Sequence, residues 1–193
     1  VARNLELLRG RPNAAPKPVV VSLAGLTLEE FQACHAVLEP LSDATELNIS
    51  SPNTQGIRVF QEPDTFRTLL ERINTKRIKP LFVKIPPYYD DPGRERVLSL
   101  VRIAREAGAD GITAANTKPV DAPRLAIGQG GLSGRPLLED MLRIVAEVRA
   151  EVGGGIVVNA CGGIATAQDA FQALQAGADT VQLLTGLIYR GPG

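Results

Sequence analysis

An excess of charge of either sign is missing from this 193-residue chain: Lys plus Arg and Asp plus Glu number 21 each. No basic field announces nucleic acid, and no acidic tail announces a basic partner. Histidine is nearly absent. His35, the only one, stands in a helical stretch without a Cys or His partner at ligand spacing, which argues against a metal centre and for a surface residue. The two cysteines, Cys34 and Cys161, are too few for a disulfide scaffold and suit a reducing interior. Cys34 shares a helix face with Phe31 and Leu38, a core position. No run approaches the roughly 18 apolar residues of a membrane span, and no signal peptide is recognisable. Small-molecule chemistry is what these absences leave.

What is present is alternation. Apolar, β-branched runs at Pro18–Ser22, Glu46–Ser50, Leu81–Ile85, Gly111–Ala115, Gly155–Asn159 and Thr180–Leu184 read as buried parallel strands. Amphipathic stretches at Thr27–Leu41, Pro63–Ile73, Arg94–Ala107, Leu137–Val152 and Thr166–Ala176 read as the crossover helices between them. Two of these end in the same words, Ala107-Gly-Ala-Asp110 and Ala176-Gly-Ala-Asp179, where glycine supplies a left-handed helix end. Such alternation allows an open doubly wound sheet or a (β/α)8 barrel. A barrel usually takes about 250 residues and eight strands. The chain opens inside a helical stretch, Val1–Arg9, and closes just after its last strand. The reading is therefore one barrel domain over residues 1–193, truncated at both ends: about six βα units, lacking the first two strands and a final helix. The alternative is a complete small doubly wound domain.

Polar residues collect at the carboxyl ends of these strands, the end that faces ligand in parallel α/β folds. The densest group is Asn48-Ile-Ser-Ser-Pro-Asn-Thr54, where Pro52 stops the strand. One reading is a capped turn in which Ser51, Asn53 and Thr54 bond local backbone; the other is a ligand cluster. Ser22, Lys84, Asn116, Thr117, Gly162-Gly163 and Thr185-Gly186 extend the second reading to the remaining strands. Lys84, in an apolar strand with no carboxylate nearby before Asp90, calls for an anionic or electron-rich partner. Thr166 and Asp169 make a capping-box spacing after Gly162-Gly163, and backbone N–H groups at that helix start are expected to form an anion site. Phosphate commonly binds after strands seven and eight of a barrel, which these would be.

With Val83-Lys-Ile-Pro86, Ala115-Asn-Thr117, Gly130-Gly-Leu-Ser-Gly-Arg-Pro136, Gly162-Gly-Ile164 and the closing Ala176-to-Pro192 stretch, the Asn48–Thr54 motif resembles the dihydroorotate dehydrogenase family in order and spacing over essentially the whole chain. The resemblance implies an FMN-containing (β/α)8 barrel that oxidises dihydroorotate to orotate in pyrimidine synthesis, of which this chain would hold the third to eighth strands. It implies that Lys84 contacts the flavin near N1 and O2, and that Asn48 touches flavin and substrate together. Asn53, Asn116 and Thr117 would hold the pyrimidine and its carboxylate. Gly134, Gly163, Leu184 and Thr185 would line FMN, the last three around its phosphate. Ser51 would be the catalytic base at substrate C5 while hydride leaves C6, the flavin being unable to do both.

Subclass motifs conflict. Ser51 and Gly131-Leu-Ser-Gly134 resemble the membrane-associated, quinone-dependent class, whereas Ser22-Leu-Ala-Gly25 and Ile85-Pro-Pro-Tyr88 resemble the soluble, fumarate- or NAD-linked branch. Position 51 carries the chemistry, so the quinone type is preferred: a cytoplasmic enzyme, peripheral to the inner membrane's cytoplasmic face, taking dihydroorotate and a quinone. Ala115 stands where the family often has threonine, and Asn159-Ala-Cys161 replaces a more usual small apolar run, which brings Cys161 within reach of the cofactor or packs it at a strand end. Other readings are a related dihydropyrimidine-oxidising flavoenzyme, a different phosphate-binding barrel enzyme, and a non-catalytic barrel fragment.

Overall fold

The computed structural model describes residues 1–9, 17–51 and 56–191. Six parallel strands form one sheet: β1 (Val20–Leu23), β2 (Ala44–Asn48), β3 (Leu81–Lys84), β4 (Gly111–Ala114), β7 (Val157–Cys161) and β8 (Thr180–Gln182), in the order β1-β2-β3-β4-β7-β8. The order follows the chain without reversal. A doubly wound sheet needs a point where the order turns back, so the sheet is barrel wall and the open-sheet alternative falls. Between the strands run α2 (Leu28–Leu38), α3 (Pro63–Asn74), α4 (Asp91–Glu106), α5 (Leu138–Val152) and α6 (Ala167–Gln175).

Strand alternation separates two faces. One presents Leu23, Leu47, Leu81, Val83, Ile112 and Val158, all buried in a single apolar core with Phe66, Leu69 and Val101 of the helices. The other carries polar residues. The apolar face, packed on the helices, is what made the strands readable.

The repeated Gly-Ala-Asp words do more than end helices. Gly108 and Gly177 take positive φ of 75° and 111°. Asp110 and Asp179, each just before a strand, accept the N–H of Leu81 (2.9 Å) and Val158 (2.8 Å) on the neighbouring strand. Each also pairs with an arginine, Arg77 or Arg149, that donates at 2.8 Å to the glycine's carbonyl. Asp43, just before β2, likewise accepts the N–H of Val19 at 2.6 Å. These aspartates clasp adjacent strands at their amino ends, away from the polar cluster.

Five points differ from the expectations. β2 ends at Asn48 rather than Ser50, because the Asn48 amide oxygen accepts the N–H (3.2 Å) and hydroxyl (2.8 Å) of Ser50 and turns the chain before Pro52 acts. His35 is buried, 3% exposed, not a surface residue: with Phe31 and Leu38 it forms the i, i+4, i+7 stripe of α2. Cys34, one position off that stripe, packs half-buried at the core's edge. A short helix, α7 (Thr185–Arg190), follows β8 directly. An antiparallel hairpin, β5 (Lys118–Asp121) with β6 (Gln129–Leu132), rises beyond β4.

Candidate active site

The polar face is stitched across five strands. Ser22 of β1 donates to Glu46 of β2 (3.0 Å), and Thr113 of β4 donates to the other oxygen of the same carboxylate (2.6 Å). Asn159 of β7 donates to Thr113 (3.2 Å) and accepts from Thr180 of β8 (3.0 Å). Glu46 is 4% exposed, so this carboxylate is held inside the wall by hydroxyl donors. Glu46→Ala leaves two inward hydroxyls without their acceptor and costs about 2–4 kcal/mol in denaturant unfolding of the full-length protein, with Glu46→Gln costing less. A Glu46→Ala protein as stable as the parent would contradict this account of the floor.

Above this floor, at the carboxyl ends of the strands, lies a cleft of about 570 Å³ including its open mouth. Lys84, Asn116, Thr117, Gly134, Gly163, Leu184 and Thr185, all expected from sequence, line it together. Ser133, Cys161 and Gln182 line it as well. Asn48 joins through Ser50, whose hydroxyl donates to the Asn48 amide oxygen and accepts from Asn116 Nδ2 at 2.8 Å. Ser50, 3% exposed, was missed because its role is to tie two amides 68 positions apart, a pairing that spacing cannot reveal. Ser51 follows it, half-buried. Asn53 lies outside the described residues.

Two glycines let backbone close on the cleft. Gly163 has φ +77°, and a Cβ there would run into the backbone N and Cα of Leu138 at the start of α5. Gly134, φ +83°, would bring a Cβ to 3.0 Å from Thr185 Cγ2. Thr185 also donates to Ser133 Oγ at 3.1 Å, linking α7 to the chain after the hairpin. The hairpin is placed by Lys118, whose ammonium sits 4.2 Å from the Tyr89 ring centroid. Tyr89's own phenol is pushed up to about 12 by burial and by Asp140.

At the start of α6 the chain supplies its own acceptor for two backbone donors. The Thr166–Asp169 capping box forms, but Asp169 accepts the N–H groups of Ala165 (3.0 Å) and Thr166 (2.9 Å) and pairs with Arg135. Burial alone would raise the Asp169 pKa; these backbone bonds and Arg135 together outweigh it and lower it. Its carboxylate thus takes these two donors, while Gly162 and Gly163, just before them in the chain, line the cleft.

A parallel wall with its cleft at the strands' carboxyl ends, floored by polar side chains and edged by glycine turns, is the architecture of an incomplete (β/α) barrel. The family model for dihydroorotate dehydrogenase matches residues 1–193, and the chain belongs to that family. It is 41% identical over 174 residues to a dihydroorotate dehydrogenase (quinone) of Myxococcus xanthus, covering 86% of this chain and 47% of that protein. The corresponding protein of Chloroflexus aurantiacus is 35% identical, with 99% of this chain and 58% of that protein covered. A crystal structure of ligand-free type DHODH from Eimeria tenella superposes with a TM-score of 0.84 at 27% identity, covering 99% of this chain and 61% of that one. The chain thus spans about half the length of the curated relatives it matches. Among the described residues, no helix is long and apolar enough to cross a membrane.

Proposed function

We propose that residues 1–193 are part of a single FMN-binding barrel domain whose whole protein oxidises dihydroorotate to orotate and passes the electrons to a quinone. One observation carries this reading: seven residues expected from sequence to touch flavin or pyrimidine, drawn from four strand ends and the segment after the hairpin, share one cleft. The cleft suits FMN chemically. Lys84 offers a cation to an electron-rich ring, and glycine at 134 and 163 lets the cleft's edges pack closely against Thr185 and the start of α5. Gly163, Leu184 and Thr185 would hold the phosphate end. FMN, when bound, supplies a hydride acceptor that no side chain can replace.

The chain's own residues do the rest. Asn48, Asn116 and Thr117, joined through Ser50, present donors and acceptors together, as a ring with both carbonyls and N–H groups requires. With Asn53 they would fix the pyrimidine and its carboxylate. Ser51 Oγ would take the proton from substrate C5, and Lys84 with the amides would stabilise the negative charge that develops as it leaves. A serine base needs that help, because its hydroxyl is a weak base unaided.

The choice of acceptor rests on Ser51 and is supported by the relatives, which are named as quinone enzymes. Quinone chemistry implies peripheral contact with a membrane, on its cytoplasmic face, through a part of the protein other than this cleft. Stopped-flow reoxidation of the reduced full-length protein tests it: a soluble quinone analogue reoxidises it much faster than fumarate or NAD. A preference for fumarate, as Ile85-Pro-Pro-Tyr88 would suggest, overturns the quinone assignment and leaves the flavin reading standing.

A further inference from the structure

Lys84 does not stand alone in the cleft. Its ammonium donates to Cys161 Sγ at 3.5 Å, across 77 positions of sequence. The two residues come from β3 and β7, strands that are not neighbours: β4 lies between them. At the cleft end of β4 the intervening residue is Ala115, which also lines the cleft and whose methyl leaves the span open. Cys161 is anchored from both sides. Its carbonyl accepts the N–H of Ala115 at 3.0 Å, and it pairs in register with Gln182 of β8. The sulfur is therefore a fixed point, whereas the lysine is a long flexible arm.

We propose that Cys161 is a positioning residue for Lys84, holding the ammonium toward the cofactor before the cofactor arrives. The inference rests on the flavin reading of the cleft. A free lysine side chain carries substantial rotamer entropy, which binding must otherwise overcome; a preset one loses less, and affinity rises accordingly. A thiol is suited to this because sulfur accepts weakly. It orients the ammonium without neutralising it, so the charge and the remaining N–H groups stay available to an electron-rich ring.

The test is a double-mutant cycle on the full-length protein, reading the FMN dissociation constant by quenching of flavin fluorescence. Cys161→Val, which removes the acceptor, weakens FMN binding about 3- to 10-fold, and Cys161→Ser, which keeps one, stays within about twofold. In a Lys84→Met background, Cys161→Val adds less than about twofold, because the residue through which it acts is gone. An equal loss in both backgrounds, or no loss in the first, overturns the proposal. A second measurement needs no variant. FMN slows alkylation of Cys161 by iodoacetamide by about tenfold or more while leaving Cys34 unchanged, since thiol reactivity follows exposure. Equal alkylation of Cys161 with and without FMN overturns the proposal independently. A wild-type protein that binds no FMN fails the flavin reading itself; wild-type binding with additive variants fails this inference alone.

Discussion

Ser51→Ala in the full-length, FMN-loaded protein slows reduction of the flavin by dihydroorotate by about 100-fold or more, the scale expected when a general base is lost. FMN and orotate still bind, because the expected contacts to both are made by other residues: Lys84 and the glycine turns for the flavin, the amides for the pyrimidine. The neighbour of Ser51, Ser50, is occupied by two side-chain bonds, to Asn48 and Asn116, and so serves as a strut rather than a base. Ser50→Ala loosens the amides and raises the substrate requirement, whereas Ser51→Ala acts on the rate. Unchanged rates of flavin reduction in Ser51→Ala would remove it as the base.

Gly163→Ala is the other large effect. The residue adopts φ +77°, a region that costs a residue bearing a Cβ roughly 1–3 kcal/mol. The added carbon would also meet Leu138 N and Cα, atoms of helix α5 that cannot turn aside as a side chain can. The substitution lowers the unfolding free energy by about 3 kcal/mol or more and weakens FMN binding with it. Gly134→Ala is milder despite its similar φ of +83°, because the nearest atom is the methyl of a Thr185 side chain. Gly163→Ala with parental stability and FMN affinity would show that the close approach at α5 does not matter.

The strands were legible because their helix-facing residues form short apolar, β-branched runs, and the helices because each buries one stripe. The hairpin was not. Lys118-Pro-Val-Asp121 and Gln129-Gly-Gly-Leu132 have neither a long alternation nor a clean apolar run, and they hold together by pairing with each other. Helix α7 was missed because six residues beginning Thr185-Gly186 carry no period. His35 was misplaced when the absence of metal partners was taken to mean exposure, although the spacing to Phe31 and Leu38 already put it on the inward stripe. At α6 the capping-box spacing was legible, but not that Asp169 would also accept the N–H of Ala165.

At the site, sequence found residues but not partnerships. Lys84, Asn116, Gly163 and Thr185 could each be picked from the end of a strand, whereas Gly134 came only with the family resemblance. The links among Asn48, Ser50 and Asn116, the Glu46–Thr113–Asn159–Thr180 chain and the Lys84–Cys161 contact depend on which strands lie side by side. That follows from strand order, which alternation alone leaves open between a barrel and a doubly wound sheet.

Anaerobic mixing of the full-length protein with dihydroorotate, followed through the visible absorbance of the flavin, tests the central claim most directly. The account predicts a protein isolated with an FMN spectrum that bleaches on mixing and releases orotate in equal amount. A protein without bound flavin, or one whose flavin stays oxidised in excess dihydroorotate, would contradict it.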